Sequence, residues 1–199
     1  MLKFFLTALF ASGTLLFAAG ASLWKAPTNT QSPEVQKVMK VLSESETVSG
    51  TFVQKRTVVK IKRTFESSGK FEISQKNGIT WDMEKPFPSK LVITDSKIVQ
   101  TNADGSQMEM ASSDNVIFRE IAASMRAVLG GNLAALENRF ELYFLQKKNS
   151  WNVGLVPKEK IIQSTIASIA LEGDQCLKKV ELVDGEGNVL TYEFKQSGK

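Results

Sequence analysis

The 199-residue chain has no histidine and one cysteine, Cys176. Without histidine, Ser-His-Asp and Cys-His catalysis, imidazole metal ligation and histidine pH switching are all excluded. One cysteine cannot make an internal disulfide, so stability has to come from a buried core, which a chain of this length can build. Cys176 reads as a half-buried strand residue and not as a reactive thiol. No glycine-rich phosphate loop occurs. Any enzyme chemistry would therefore fall to paired carboxylates or lysine.

Long apolar runs are also scarce. The one present is Phe4 to Ala18. Lys3 is the only charge before Lys25, and Ala19-Gly20-Ala21 is a small-x-small cleavage site ahead of Ser22. Residues 1–21 read as a secretory signal peptide, rather short for a spanning helix and with no cysteine after it to be lipidated. Setting them aside leaves 24 Lys plus Arg against 21 acids. That mild excess and export argue against a nucleic-acid partner. They suit an anionic membrane surface or an acidic protein.

What remains is patterned. Residues 22–32 read as a polar linker, and 33–199 as a single domain. Ser32 caps a helix with Pro33 at its first position, and Val35, Val38, Met39 and Leu42 recur at helical spacing, ending near Ser45. From Val48 the period becomes two. Strands are expected over Val48–Arg56, Val58–Phe65, Gly69–Gln75, Ile79–Glu84, Lys90–Thr94, Lys97–Thr101 and Gln107–Ala111. Asn77-Gly78 and Asp95-Ser96 mark hairpin turns. Val116 to Leu129 interrupts them as a helix ended by Gly130-Gly131, and Asn132 caps a second one through Glu137. Strands resume over Phe140–Gln146, Trp151–Val156, Thr165–Glu172, Leu177–Val183 and Val189–Lys195. This pattern suggests an α+β, mainly antiparallel fold, an up-and-down sheet strongly curved or rolled into a barrel, with the mid-chain helices placed as a lid or plug over it.

One face of such a sheet is interior. Its candidate residues are Phe52, Phe65, Phe71, Ile73, Ile79, Trp81, Met83, Leu91, Ile93, Met108 and Met110, with Ile121, Met125 and Leu129 on the helical excursion above. An ordinary core and a cavity for acyl chains need the same residue types, so both readings stand at this point. Asp82 and Glu84 share the opposite strand face and read as solvent-facing, not as a catalytic pair. Asp184-Gly185-Glu186-Gly187-Asn188 lacks the spacing of a calcium loop and reads as a turn. Lys55, Arg56, Lys60, Lys62 and Arg63 form a basic cluster, either solvated strand faces or a docking patch for anionic headgroups or a membrane partner.

Gly50-x-Phe52-x-Gln54, Ser68-Gly69, Gly78-Ile79-x-Trp81 with Pro86 beyond it, and the Asp95-x-Lys97 turn occur in an order that resembles the LolA family of periplasmic outer-membrane lipoprotein carriers. Gln54-x-Arg56, Ser67-Ser68-Gly69 and Trp81-x4-Pro86-Phe87 look closest to a divergent branch, some of whose members accompany RND-type lipid exporters. The resemblance implies an incomplete, half-open curved barrel closed by an N-terminal helix and mid-chain lid helices, and a non-enzymatic periplasmic carrier that needs no cofactor or metal. It implies acylated lipoprotein or other lipid cargo held in the cavity, received from an ABC-type or RND-type inner-membrane transporter and passed to an outer-membrane acceptor. Well-known members have an Arg-Pro pair before the Trp, and that Arg latches the lid. Gln75-Lys76 stands there in this chain, and an uncharged Gln75 makes a weaker latch. The alternative is a non-catalytic envelope adaptor with a fully packed barrel that docks a membrane-protein partner.

Overall fold

Alternating side chains force the chain into pleated strands, and each strand buries one face only by lying beside its neighbours. The computed structural model describes residues 23–43, 46–74, 76–94, 96–111, 127 and 132–197. Within them the strands are β1 (Thr47–Val58), β2 (Arg63–Ser74), β3 (Gly78–Lys85), β4 (Ser89–Ile93), β5 (Lys97–Asn102), β6 (Gln107–Ala111), β7 (Phe140–Gln146), β8 (Trp151–Pro157), β9 (Ile166–Gly173), β10 (Leu177–Asp184) and β11 (Val189–Gln196). The helices are α1 (Pro33–Ser43), α2 (Leu133–Arg139) and the short α3 (Lys160–Gln163).

All strands join one antiparallel sheet in the order β6-β5-β4-β3-β2-β1-β11-β10-β9-β8-β7. The sheet is two up-and-down meanders, β1–β6 and β7–β11, stitched at β1 and β11. The edge strands β6 and β7 do not pair, so the barrel stays open. The chain ends β6 on one edge at Ala111 and begins β7 on the other at Phe140.

One expected strand is corrected. Val58 to Phe65 is no strand of its own. Val59–Ile61 is a 3₁₀ turn closed by Lys62 in the left-handed region, φ 49°, and Arg63 opens β2. β1 and β2 are thus twelve-residue arms of one long hairpin. The turn near Asn77-Gly78 also differs in detail. Ser74 pairs with Gly78, and Gly78 takes φ 85°, a conformation open to a residue without Cβ. Cys176 lies in the turn before β10 and not within a strand.

The motif glycines Gly50 and Gly69 share the concave face with Phe52 and Phe71, and neighbouring backbone leaves no room there for a side chain. A Cβ on Gly50 would sit 2.1 Å from the Lys195 carbonyl, and one on Gly69 would sit 2.0 Å from that of Asp82. Asn132 caps α2 as expected, its side chain accepting from the Ala135 N–H at 3.0 Å.

The stretch read as a linker is held as a strap. Trp24 packs on the convex side against Tyr143, ring centroids 5.3 Å apart, over Gly154. Thr28 then covers the β7 edge: its N–H donates to the Leu142 carbonyl at 2.8 Å, and its hydroxyl accepts from the Phe144 N–H at 2.9 Å. Thr30 hydrogen-bonds Glu137, and the chain enters α1. Val35, Val38, Met39 and Leu42 of α1 are buried in the concave core, as their spacing requires.

A Cβ at Gly154 would lie 2.6 Å from the Trp24 ring. Gly154→Ala is expected to lift the strap and cost about 1–3 kcal/mol in denaturant unfolding. Most of that loss should vanish when Gly154→Ala is made in a Trp24→Ala background. Equal losses in both backgrounds would rule out the strap as the cause.

Candidate functional site

Strand register places all eleven candidate interior residues on the concave face. They do not share one environment. Phe52, Phe71, Ile73, Ile79 and Ile93 are buried. Trp81, Leu91 and Met110 pack half-covered against that core, and Met83 is half-buried. Phe65 and Met108 are corrected: they stand 52% and 49% exposed, beyond the packed floor. Each sits near a strand end, where no further layer covers it.

An aromatic group occupies the middle of the floor. Trp81 lies 4.8 Å from Phe52 and 5.0 Å from Tyr192 by ring centroid, and Phe71 lies 5.0 Å from Phe194. Most of these contacts are tilted or edge-on, the arrangement that ring quadrupoles favour. The Nε1–H of Trp81 is buried and has no acceptor among the described residues. Burial pushes the Tyr192 phenol up to about 12.

Sequence reading missed two of these five rings. Tyr192 and Phe194 pair with Gln54 and Phe52 across the β1–β11 seam. The alternation Leu190-x-Tyr192-x-Phe194 is legible, but which face it joins depends on a pairing between residues far apart in the chain. Ile98, 1% exposed and paired with Ile93, was missed in the same way.

Beside this floor, α1, α2, β7 and β8 border a small apolar crevice of about 10 Å³, lined by Val35, Met39, Leu133, Leu142, Phe144 and Val153 among others. That is below the roughly 300–1,000 Å³ of ligand pockets.

The carboxylates lead elsewhere. Asp82 and Glu84 lie on the convex face, where Glu84 pairs with Lys70 at 2.7 Å. Its hydrogen bond, then its charge, raises the Lys70 ammonium above the usual range. Asp184 accepts from the N–H groups of Glu186 and Asn188, so its carboxylate serves its own turn, as expected. Among the described residues no cluster of acids and cysteine could hold a metal ion.

The basic cluster converges on the β1–β2 hairpin. Lys55 and Arg56 approach its end on opposite faces, and Lys60, Lys62 and Arg63 form or flank its tip. Lys60 pairs with Glu186 at 3.4 Å. Ile121, Met125, Leu129 and the latch position Gln75 lie outside the described residues.

Comparison with known proteins decides the family. Residues 43–199 match the family model described as outer membrane lipoprotein carrier protein LolA. The chain belongs to the LolA family. An outer-membrane lipoprotein carrier protein of Alkalilimnicola ehrlichii is 28% identical over 130 residues, which are 65% of this chain and 57% of that relative. The chain thus spans little more than half of that protein's length. Among solved structures, a LolA superfamily protein of Nitrosomonas europaea aligns at TM-score 0.42 and 7% identity, over 82% of this chain and 93% of that one. The MucA/MucB complex of Pseudomonas aeruginosa aligns at 0.44 and 11%, over 82% and 56%. No helix among the described residues is long and apolar enough to cross a membrane.

Tyr192 provides a pH test. Its folded value of about 12 exceeds the ordinary 10.0, so the neutral phenol is the form the fold favours. Its contribution is complete below pH 10 and is lost as pH rises from 10 through 12. Wild type is expected to lose stability across that window, and Tyr192→Phe to lose less, in denaturant midpoints. Parallel profiles would refute the assignment.

Proposed function

We propose that this LolA-family chain is a non-enzymatic periplasmic carrier that shields the acyl chains of lipoproteins or other lipidated cargo on its concave face. In this reading it takes cargo from an inner-membrane transporter and delivers it to an outer-membrane acceptor. The observation that supports it is the floor itself. Trp81, Met83, Leu91, Met110 and Tyr192 remain half-exposed on the inner side of an open sheet, where a closed core would cover them.

Shielding is an affinity argument. Each buried CH₂ is worth about 0.8 kcal/mol, so one long chain gains several kcal/mol on leaving water. Release requires that the fit be loose. Two of the wall residues are methionines, whose unbranched side chains repack around different partners at little cost. The Trp81 N–H offers a buried donor for which an ester or amide carbonyl is the fitting acceptor. The crevice under α1 is too small for a long chain, so binding has to enlarge it or use the half-exposed floor beside it.

Gently purified protein is expected to yield extractable acyl lipid and to bind a fluorescent apolar probe saturably. Met83→Glu should weaken probe binding at least about tenfold, with unfolding stability changed by less than about 0.5 kcal/mol. Absence of both lipid and probe binding would sink the carrier reading in favour of a packed adaptor. Equal loss of binding and stability in Met83→Glu would mark the floor as ordinary core.

A further inference from the structure

Every strand runs antiparallel to its neighbours, so the connections alternate between two ends of the sheet. One end gathers the β1–β2, β3–β4, β5–β6 and β10–β11 turns and the β8–β9 link. The large apolar side chains exposed among the described residues are Val59, Ile61, Phe65, Phe87, Met108 and Ile161. All six belong to that end. Val59 and Ile61 lie in the β1–β2 turn, and Phe65 lies just inside it. Phe87 is the tip of the β3–β4 turn, Met108 the second residue of β6, and Ile161 part of the β8–β9 link. The opposite end carries none of them. Apolar residues scattered singly over a surface are ordinary, but a set confined to one rim is not scattered.

The same rim is basic where it projects furthest. Lys60, Lys62 and Arg63 surround Ile61, and Lys85 precedes the turn that carries Phe87. Lys158 and Lys160 precede Ile161, with Glu159 between them. Of the other acids at this rim, Glu66 stands directly across from Lys55 on the β1–β2 hairpin, and three more are engaged. Glu186 pairs with Lys60, Asp184 binds its own turn, and Asp104 binds Ser106. No carboxylate pairs with Lys62 or Arg63 among the described residues. The tip is also braced. The Val59 N–H donates to Asn188 Oδ1 at 3.1 Å, and the Lys62 N–H closes the turn on the Val59 carbonyl at 3.1 Å.

We propose that this rim is a membrane-docking edge, on which Lys62, Arg63 and Lys85 meet anionic lipid headgroups while Ile61, Phe65 and Phe87 enter the interfacial layer. A protein partner fits less well. Protein interfaces centre on a contiguous packed cluster and are depleted in lysine. Here the apolar groups stand on separate turns, each beside lysines, the composition of a face that lies on an anionic bilayer. The proposal does not depend on what the concave face binds.

The test is co-flotation of the protein with phosphatidylcholine vesicles, with and without phosphatidylglycerol, at low and at higher salt. Wild type is expected to partition onto the phosphatidylglycerol vesicles and to come off as salt rises. Lys62→Glu with Arg63→Glu should lower partition about tenfold or more. Ile61→Ser with Phe87→Ser should lower it by roughly tenfold. Lys147→Glu with Lys148→Glu, in the turn at the opposite end, should leave it unchanged. All these sites are exposed, so unfolding midpoints should match wild type. The proposal is overturned if wild type ignores phosphatidylglycerol at low salt, or if the opposite-end variant loses as much as the rim variants. Binding to native envelope vesicles that protease treatment abolishes, with none to pure lipid, would assign the rim to a protein partner instead. Probe uptake by the concave face, measured on the same variants, should not change. Docking without probe uptake would count against the carrier reading alone.

Discussion

The pairing of β1 with β11 is the contact on which the molecule depends. Eight consecutive residue pairs run from Gly50↔Gln196 to Thr57↔Val189. They join the first strand of the chain to the last. Without them there would be two separate meanders, each with an apolar face and no partner. With them the concave faces merge, and Phe52 and Trp81 of the first half meet Tyr192 and Phe194 of the second. A seam between such distant segments is entropically costly to close, so folding has to bring both halves near completion before it rewards them.

From that seam the two faces of the sheet take different roles. The convex face carries ion pairs such as Lys70–Glu84, together with the strap residue Trp24. The concave face carries the aromatic floor, α1 and the crevice beside it. Under the carrier role proposed above, that face would need to be an apolar surface neither sealed nor open to bulk water. The half-exposed methionines and Trp81 sit in that intermediate state.

Much of this was legible in the sequence. The strands β7 to β11 follow their period-two runs to within a residue or two, and Asn132 announces α2 because a side-chain cap is a local event. The eleven candidate residues share one face by register, but burial separates them, with Phe65 and Met108 exposed at its rim. Nearest-neighbour information failed at two kinds of place. Val58 to Phe65 reads as a strand because Val, Ile and Phe favour pleated structure. The turn there depends on Lys62 in a conformation that lysine rarely adopts, and nothing in its side chain signals this. Tyr192, Phe194 and Ile98 were missed as floor because their neighbours come from other strands. Residues 23–32 looked like a linker because their role is to satisfy backbone groups of β7, which a polar sequence does not advertise.

The strap has one more consequence. It begins behind the sheet at Trp24, crosses the β7 edge at Thr28 and becomes α1 in front of the sheet. The helix over the floor and the hydrogen bond at the edge therefore belong to one continuous tether. Moving α1 away to admit a large guest would draw on that tether, first at the Thr30–Glu137 bond and then at the one from the Phe144 N–H to the Thr28 hydroxyl. The hydrogen-exchange rate of the Phe144 amide would thus report, at the rim of the molecule, whether α1 has left the floor.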